Sequence, residues 1–257
     1  MKPIKVDLPT DYNTIEIHPL ADLHIGDTHC EFKRILEELE RIKNTPNAYC
    51  ILDGDLMNTA IKNSVSDCYS ESISPMEQIK HCVSIFEPIK DKILAVCGGN
   101  HEARVYRETS LDMTELFCSQ LGIVDRYSSS TALVYIRFGK DIKHNRKMCY
   151  TLYMTHGNGG GRKEGGKINR LADLANIVDA DIYVMAHTHS PAAFRNTFYR
   201  ADPRNSDVTN CEHLFVNTAS WLAYSGSYGD TMGFKPTSNI NPVIILDGVR
   251  KNARAII

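Results

Sequence analysis

Eight residues whose side chains can bind a metal ion or move a proton occur at equivalent places in the sequence. Each lies in a loop that directly follows a predicted strand: Asp22, His24, Asp55, Asn100, His101, His156, His187 and His189. Five of the ten histidines belong to this set. Two divalent cations need several neutral nitrogen or oxygen ligands that converge from different strands, and a carboxylate can bridge the pair. The set therefore predicts a centre for two divalent metal ions.

The charge of such a centre suits phosphate chemistry. Two divalent cations outweigh the charge of two aspartates and one bridging hydroxide, so the centre stays positive. It would attract a phosphate anion and lower the pKa of its own bound water. A site built only to hold structure would saturate its metal and leave no open position.

The elements that must position these residues are short apolar strands. Asp181–Ala186 contains a continuous apolar run, which is typical of a strand buried on both faces, and His187 and His189 follow it. The other strands that lead into the set are predicted at 13–21, 48–52, 93–97 and 148–155. In open α/β sheets, ligands bind beyond the carboxyl ends of the strands, so these strand ends mark the expected site.

Helical patterns alternate with the strands. A helix near 29–43 is expected to start with a capping box, Thr28-x-x-Glu31, and a second helix starts at Ser74-Pro75-Met76-Glu77. Further helices are predicted near 110–121, ending at Gly122, and near 167–178. Additional strands are expected at 131–138, 193–199, 213–218 and 242–247. The pattern predicts an α/β fold, and since no repeat or linker divides the chain, a single domain over residues 1–257.

Composition limits the class of partner. The chain has 29 lysines and arginines and 31 aspartates and glutamates, for a net charge of −2, so nucleic acid could be bound only through a local patch. No apolar run approaches the roughly 20 residues needed to cross a bilayer, and the first residues lack the apolar core of a signal peptide. We therefore expect a cytoplasmic protein without a membrane partner. The scattered cysteines predict neither a disulfide framework nor a zinc–thiolate site.

The ordered set resembles a known family. It forms the strings Asp22-x-His24, Gly54-Asp55-x-x-Asn58, Gly99-Asn100-His101-Glu102, His156-Gly157 and Ala186-His187-x-His189. These strings resemble the five ordered motifs of the calcineurin-like metallophosphoesterase superfamily. The longer strings at 99–104 and 155–160 are most similar to small bacterial and phage-encoded members.

The resemblance implies a fold and a role for each residue. The implied fold is a four-layer α/β/β/α sandwich of two mixed sheets, with the dinuclear metal site at the carboxyl ends of strands. One metal would be bound by Asp22, His24 and His189, and the other by Asn100, His156 and His187. Asp55 would bridge both metals. His101 matches a histidine that is not a ligand and that protonates the leaving oxygen or stabilises charge in the transition state.

Two positions depart from the family pattern. Ala186 replaces the usual glycine before the last histidines, and its methyl group is expected only to crowd the turn. The Ser/Thr protein phosphatases have an Asp-Arg pair where this chain has Asn58 and Thr59, and their arginine grips the phosphate of the substrate. The missing arginine argues against that branch of the superfamily.

The functional prediction is a dinuclear metal-dependent phosphoesterase in which a metal-bridging hydroxide attacks phosphorus in line. A phosphodiester, either nucleic acid or a nucleotide, is the preferred substrate. A phosphomonoesterase acting on a small metabolite would use the same centre, and a non-catalytic scaffold of the same fold is less favoured because all the matched positions are intact. Manganese is the first expected metal, because oxygen and imidazole ligands are mixed, with iron, nickel and zinc as alternatives. The oligomeric state is left open.

One glycine-rich stretch and one asparagine could contact the substrate. The glycine-rich stretch Gly157–Lys167 carries Arg162, Lys163 and Lys167, which we expect to contact substrate, although the stretch could also be a flexible crossover. Asn58 is a further candidate substrate contact.

Other segments have two open interpretations. The basic segment Arg137–Lys147 is more typical of a solvated hairpin tip than of a binding patch. Trp221, Tyr224 and Tyr228 could stack on bases or pack inside a long loop. Three further residues, His29, Asp53 and Glu102, are candidates for hydrogen-bonding a site histidine and fixing its tautomer.

Overall fold

The computed structural model describes residues 1–64, 67–142, 145–159, 161 and 163–257. The described part contains two six-stranded sheets. The strands are β1 (Lys2–Asp7), β2 (Thr14–Leu20), β3 (Ala48–Asp53), β4 (Ile93–Cys97), β5 (Tyr127–Ser128), β6 (Thr131–Phe138), β7 (Met148–Thr155), β8 (Ile182–Met185), β9 (Ala192–Asp202), β10 (Asp207–Asn217), β11 (Val243–Asp247) and β12 (Ala253–Ile256). The α-helices are α1 (Phe32–Asn44), α2 (Pro75–Phe86), α3 (Asn100–Thr109), α4 (Met113–Leu121), α5 (Glu164–Asp173) and α6 (Tyr228–Thr231).

Both sheets are mixed. The first sheet has the order β12-β11-β2-β3-β4-β5, in which β2 to β5 run parallel and β11 pairs antiparallel with both β2 and β12. The second sheet has the order β1-β6-β7-β8-β10-β9, with β7, β8 and β10 parallel to one another. In each sheet, the parallel strands end at one edge, which is where the polar loops predicted from the sequence emerge.

An apolar core joins the two sheets. Buried side chains from the first sheet, such as Ile17 and Ile51, pack in one cluster with Val134, Leu152 and Val184 of the second sheet. Burial of this apolar surface stabilises the fold by roughly 25 cal/mol per Å² removed from water. Because the sheets are held face to face, strand ends from both can contribute to a single site.

Helices cover the outer face of each sheet. The first sheet packs against α1, α2 and α4 through buried residues such as Ile35, Ile79 and Phe117. The second sheet packs against α5 through a cluster that includes Leu171 and Phe215. The order of layers is helix, sheet, sheet, helix, and the four-layer fold implied by the family resemblance is confirmed. That residues 1–257 form one domain stays a prediction.

Two of the predicted helix ends are confirmed. Ser74 and Glu77 form the predicted capping box at the start of α2, with the Ser74 N–H donating to the Glu77 carboxylate at 3.0 Å. Gly122, with a φ of +72°, ends α4 in the left-handed conformation that favours glycine.

The capping box predicted at Thr28 is wrong. Helix α1 begins at Phe32, and neither Thr28 nor Glu31 caps it with a side chain. The chain before the helix is a turn in which the Cys30 N–H donates to the Asp27 carbonyl at 3.1 Å. Glu31 instead pairs with Arg34 at 2.5 Å. The turn engages this backbone and the ion pair engages the Glu31 carboxylate, so these groups are not available for a capping box.

Other elements differ from the sequence prediction. Residues 100–109 form α3 instead of a loop, and α5 starts at Glu164, three positions before the predicted helix. The only buried residues of α3 are Glu102 and Val105, so it lacks the apolar stripe by which a helix is recognised. Among the described residues, no helix combines the length and apolar character required to cross a membrane.

Candidate metal centre

The eight residues predicted from the sequence converge at the carboxyl ends of five strands, and we call them the strand-end cluster. Asp22 and His24 follow β2, Asp55 follows β3, Asn100 and His101 follow β4, His156 follows β7, and His187 and His189 follow β8. The first three strands belong to the first sheet and the last two to the second. The cluster therefore lies where the edges of both sheets meet.

The backbone of this cluster is held in an uncommon conformation. Five of the nine non-glycine residues with positive φ in the described part of the chain belong to it: Asp22, His24, Asp55, His187 and His189. Such a conformation costs about 1 kcal/mol or more per residue and persists only where the surroundings impose it. Here the His24 N–H donates to the Asp55 carbonyl at 3.0 Å, which ties the loop after β2 to the loop after β3.

Two groups of candidate ligands form within the cluster. In the first group, His189 Nε2 lies 3.3 Å from Asp22 Oδ1 and 3.4 Å from His24 Nε2. In the second group, Asn100 Oδ1 lies 2.8 Å from His187 Nδ1 and 3.0 Å from His156 Nε2. The second group meets Asp55, whose Oδ2 lies 3.1 Å from His156 Nε2. The division matches the two ligand sets implied by the resemblance, and their role as ligands stays a prediction.

The donor atoms of the cluster fit divalent cations. His156 Nδ1 lies 2.7 Å from the Asp53 carbonyl oxygen, which can only accept, so Nδ1 carries the hydrogen. In the neutral ring Nε2 then presents its lone pair to the oxygens of Asp55 and Asn100. Among the described residues, no donor is in hydrogen-bond geometry with the buried Asp22 Oδ1. Electron pairs that face one another in a buried site require a cation or extra protons, and imidazole and carboxylate ligands suit divalent metals.

His101 lies beside both groups. Its Nε2 is 3.8 Å from Asp55 Oδ2, and its ring meets the ring of His24 edge-on at 4.4 Å. It also forms a third group of possible metal ligands with His24 and Asp55. Its Nδ1 lies 3.0 Å from the Asn58 carbonyl oxygen, so Nδ1 carries a hydrogen and Nε2 is the ring atom that can exchange a proton.

Burial and neighbouring carboxylates shift the histidine pKa values in opposite directions. Burial lowers the pKa of His24, His101 and His187 below the usual histidine range. Burial also disfavours the charged forms of His156 and His189, but the carboxylates of Asp55 and Asp22 outweigh it, so both pKa values are raised. The cluster therefore combines neutral imidazoles with two histidines that are paired to the anionic ligands.

Of the three residues expected to fix a histidine tautomer, one does so through its backbone. The Asp53 carbonyl oxygen accepts from His156, whereas its buried carboxylate has no hydrogen-bond partner in the part of the chain that the structure describes. Burial raises the pKa of Asp53 to about 8. Glu102 instead accepts from the backbone N–H groups of Asp55 at 3.1 Å and Met57 at 2.9 Å, and thereby holds the loop after β3. His29 pairs with Asp27 at 3.2 Å and contacts no histidine of the cluster.

Two glycines allow the loops after β3 and β4 to touch. Gly54 has a φ of +81°, and a Cβ placed on it would lie 2.6 Å from the Gly99 Cα. A Cβ on Gly99 would overlap the backbone nitrogen and Oδ1 of Asp55. The absence of side chains at both positions brings Asp55 and Asn100 into the same site.

Some supporting residues were not found from the sequence. The Thr218 hydroxyl lies 3.4 Å from Asp22 Oδ2, and Thr218 follows strand β10, so its place after a strand could have identified it. Thr59 donates from its hydroxyl to the His101 carbonyl at 2.7 Å. Arg104 lies one helical turn after His101. Burial is the main cause of the lowered pKa of His101, the Asp55 carboxylate opposes it, and the charge of Arg104 lowers this pKa further. Thr59 and Arg104 carry no such signal, because threonine and arginine are common in loops and helices.

A cleft of about 780 Å³ opens over the strand-end cluster. One part of its lining is Asp55, Asn100, His101, His187 and His189. Another part comes from residues 219–242, between β10 and β11, which we call the cleft loop. Tyr224 and Tyr228 of this loop line the cleft, whereas Trp221 is buried in the core with the Arg34 guanidinium 4.5 Å from its ring centre.

The predicted substrate contacts are placed unevenly. Lys167 lines the cleft and donates to the Ser190 hydroxyl at 2.5 Å, while Lys163 is exposed at the start of α5, outside the cleft lining. Arg162 lies outside the described residues. The Asn58 amide is buried and donates to Glu71, so its side chain is engaged within the protein and its carbonyl orients His101.

The basic hairpin segment lies apart from the cleft. Arg137 and Lys147 both bind the Asp7 carboxylate, at 2.5 Å and 3.4 Å, and neither lines the cleft. Lys143 lies outside the described residues. The interpretation of this segment as a surface feature agrees with these contacts.

Comparison with known proteins identifies relatives of this chain. The sequence model of a family described as calcineurin-like phosphoesterase matches residues 23–191, well over half of the chain. Comparison with curated proteins gives no significant match. Solved structures with a similar fold include a conserved uncharacterised protein from Streptococcus pneumoniae TIGR4, described as a predicted phosphoesterase, at 13% identity, with 95% of this chain and 89% of that chain covered and a TM-score of 0.40. They also include wild-type Vps29 from Entamoeba histolytica complexed with zinc, at 10% identity, with 94% and 97% covered and a TM-score of 0.36.

Proposed function

We propose a reaction for this protein from one premise: the chain belongs to the calcineurin-like phosphoesterase family. It is therefore a metal-dependent phosphoesterase, a hydrolase that acts on phosphate esters. Within that class, we propose that its substrate is a phosphodiester, either nucleic acid or a nucleotide. The proposal concerns the substrate and the roles of individual residues.

The observation that carries the diester proposal is the modest positive charge of the cleft. Among its described lining residues, the permanent cations are Lys167 and Lys235. Lys167 is engaged with Ser190, and Lys235 pairs with Glu164 at 2.8 Å. A phosphomonoester is close to a dianion at neutral pH because its second pKa is about 6, whereas a diester carries a single negative charge. The monoanion is the better match to this lining.

Seven residues of the strand-end cluster would hold two divalent ions. Asp22, His24 and His189 are proposed for one ion, Asn100, His156 and His187 for the other, and Asp55 for both. When bound, the ions would supply Lewis acidity toward the phosphate oxygens and activate water as the nucleophile. Manganese is the proposed first choice, because the set mixes oxygen and imidazole ligands.

His101 is the residue proposed to assist the leaving group. The Asn58 carbonyl holds its Nδ1–H, and Thr59 holds its backbone carbonyl, so the ring has one orientation. Its Nε2 can donate a proton to the departing alkoxide. Burial lowers the pKa of His101, and a bound anionic phosphate would favour the protonated ring and oppose that shift.

A pair of matched substrates tests the diester proposal. With Mn²⁺ present, kcat/KM should be higher on bis-p-nitrophenyl phosphate than on p-nitrophenyl phosphate. Both release p-nitrophenolate, but the phosphate group of the diester carries one negative charge, whereas that of the monoester carries close to two. A chelated sample serves as the metal-free control. A higher kcat/KM on the monoester would overturn the diester preference and favour the metabolite phosphatase.

A further inference from the structure

The cleft loop concentrates exposed aromatic side chains at the cleft. Tyr224, Tyr228 and Phe234 all line it, and 37%, 55% and 39% of their surfaces are exposed. Single exposed apolar side chains are common on proteins, but several gathered in one concave site indicate a ligand surface. This surface belongs to the same cleft as His101 and Asn100.

The rings are positioned by the loop itself. The Tyr224 hydroxyl donates to the Phe234 carbonyl at 2.5 Å, and the Phe234 N–H donates to the Gly229 carbonyl at 2.8 Å. The rings of Tyr228 and Phe234 meet edge-on, with centres 6.0 Å apart. These contacts fix the aromatic residues while leaving more than half of Tyr228 accessible.

Packing alone does not account for this exposure. Trp221, in the same loop, is 3% exposed and lies in the core beneath α1, where it serves the fold. Tyr228 is not buried in any such cluster among the described residues. An aromatic ring that is held in place yet exposed to a cleft is suited to stack on a flat ligand.

The volume of the cleft and the polar side chains that line it fit a nucleobase. Its volume of about 780 Å³ lies within the range of roughly 300–1,000 Å³ typical of small-ligand sites. Thr237 and Asn239 also line the cleft, and their side chains can form hydrogen bonds with the edge of a base. Unpaired bases can separate from their neighbours and stack on aromatic side chains, which bases inside a duplex cannot do.

We propose that the cleft loop is a base-binding subsite, in which Tyr228 stacks on an unpaired nucleobase next to the scissile phosphate. The inference rests on the proposed diester hydrolysis and narrows its substrate to single-stranded or dinucleotide diesters. Stacking is tolerant of base identity, since every base has a π-face. The subsite therefore discriminates between substrates with and without a base more strongly than between different bases.

The test compares two diesters that differ by one base. They are a thymidine dinucleotide and the same molecule with an abasic tetrahydrofuran in place of one nucleoside. Tyr228→Ala should lower kcat/KM about 5- to 100-fold on the dinucleotide, as expected for the loss of one base stack, and leave the abasic diester unchanged. Tyr228→Phe should retain activity on both. Tyr199→Ala removes an exposed tyrosine of β9 that lies outside the cleft lining, so kcat/KM should stay unchanged on both substrates.

The outcomes separate this inference from the proposed function. Equal losses on both substrates, or no loss on either, would overturn the base subsite even if the protein hydrolyses diesters. If the wild-type protein hydrolyses neither diester, the diester function fails, and calorimetric binding of thymidine 5′-monophosphate then decides the subsite. Weaker binding by Tyr228→Ala than by Tyr228→Phe would support it, and equal binding would refute it.

Discussion

The strand-end cluster and the cleft loop border the same cleft but are held in place by different kinds of contact. In the cluster, hydrogen bonds join residues far apart in sequence: His187 to Asp22 across 165 positions, and His156 to Asp53 across 103. In the cleft loop, the Tyr224 carbonyl accepts from a hydroxyl 3 positions away. The cluster is thus a product of the whole fold, whereas residues 224–234 of the cleft loop are organised mainly by local contacts. The loop is anchored to the fold just before this stretch, where the Trp221 N–H donates to the Asp22 carbonyl at 3.1 Å.

This difference separates two functions of the site. Reacting groups must be held to within a fraction of an ångström, which a rigid framework of strands provides. A loop with local contacts can change its sequence without disturbing that framework. We therefore expect substitutions in the cluster to affect catalysis or stability, and substitutions of the exposed residues of the cleft loop to affect the choice of substrate.

The largest effect is expected for His101→Ala, which removes the proposed proton donor from the cluster. The rate should fall by roughly 10²–10⁴, the usual contribution of a positioned acid, while metal content stays near that of the wild type. The loss should be greater on a dinucleotide than on bis-p-nitrophenyl phosphate, since p-nitrophenolate leaves readily without a proton. Steady-state kinetics and metal analysis measure both quantities.

A matched control is available for this variant. His29→Ala removes a histidine that pairs with Asp27 outside the cluster and should leave the rate unchanged. Loss of a metal ion from His101→Ala would assign the residue to the ligand shell instead. Equal losses on both substrates would indicate stabilisation of charge in the transition state.

A smaller effect, on stability, is expected for Gly99→Ala. The added Cβ would overlap Asp55, so the loops after β3 and β4 must separate, which should cost about 1–3 kcal/mol in the free energy of unfolding. Metal affinity should weaken with it. Gly165→Ala is the control and should not destabilise the protein, because a Cβ there lies within 4 Å of no described atom and alanine favours the helix. If denaturant unfolding gave Gly99→Ala the stability of the wild type, the cluster would tolerate movement of its loops.

The sequence predicted the parts of the molecule that depend on local pattern. Strands such as β4 and β8 are short apolar runs, and polar residues at their ends stand out against them. The order of these polar residues along the chain was sufficient for the family resemblance, and through it for the fold. The site was predictable because each of its residues lies in the loop that directly follows a strand.

The remaining features depend on contacts between distant residues. Thr28 fits a capping box, but a turn that begins at Asp27 competes for the same backbone. Asn58 was expected to face substrate, yet Glu71, in a loop without periodicity, engages its amide. The sequence could not decide whether Trp221 or Tyr228 was exposed, since burial depends on how the cleft loop meets α1.

The smallest effect is expected at an exposed ion pair between the cleft loop and helix α5. Lys235 of the cleft loop pairs with Glu164 of α5 at 2.8 Å, and the two side chains are 72% and 57% exposed. Hydrogen bonding to Lys235 lowers the pKa of Glu164, so this carboxylate is charged at neutral pH. Exposed ion pairs contribute little to stability, so Glu164→Gln should shift Tm by no more than about one degree.

Substrate affinity should nevertheless respond, because both residues line the cleft. Glu164→Gln frees the Lys235 charge for an anionic substrate and should lower KM about two-fold at low salt, with the effect lost at high ionic strength because salt screens exposed charges. Lys235→Gln should raise KM by a similar factor. Glu212→Gln breaks an exposed pair with Arg195 outside the cleft lining and should change neither Tm nor KM. A fall of several degrees in the Tm of Glu164→Gln would show that the exposed part of the cleft loop also contributes to the stability of the fold, and the division between the two regions would not hold.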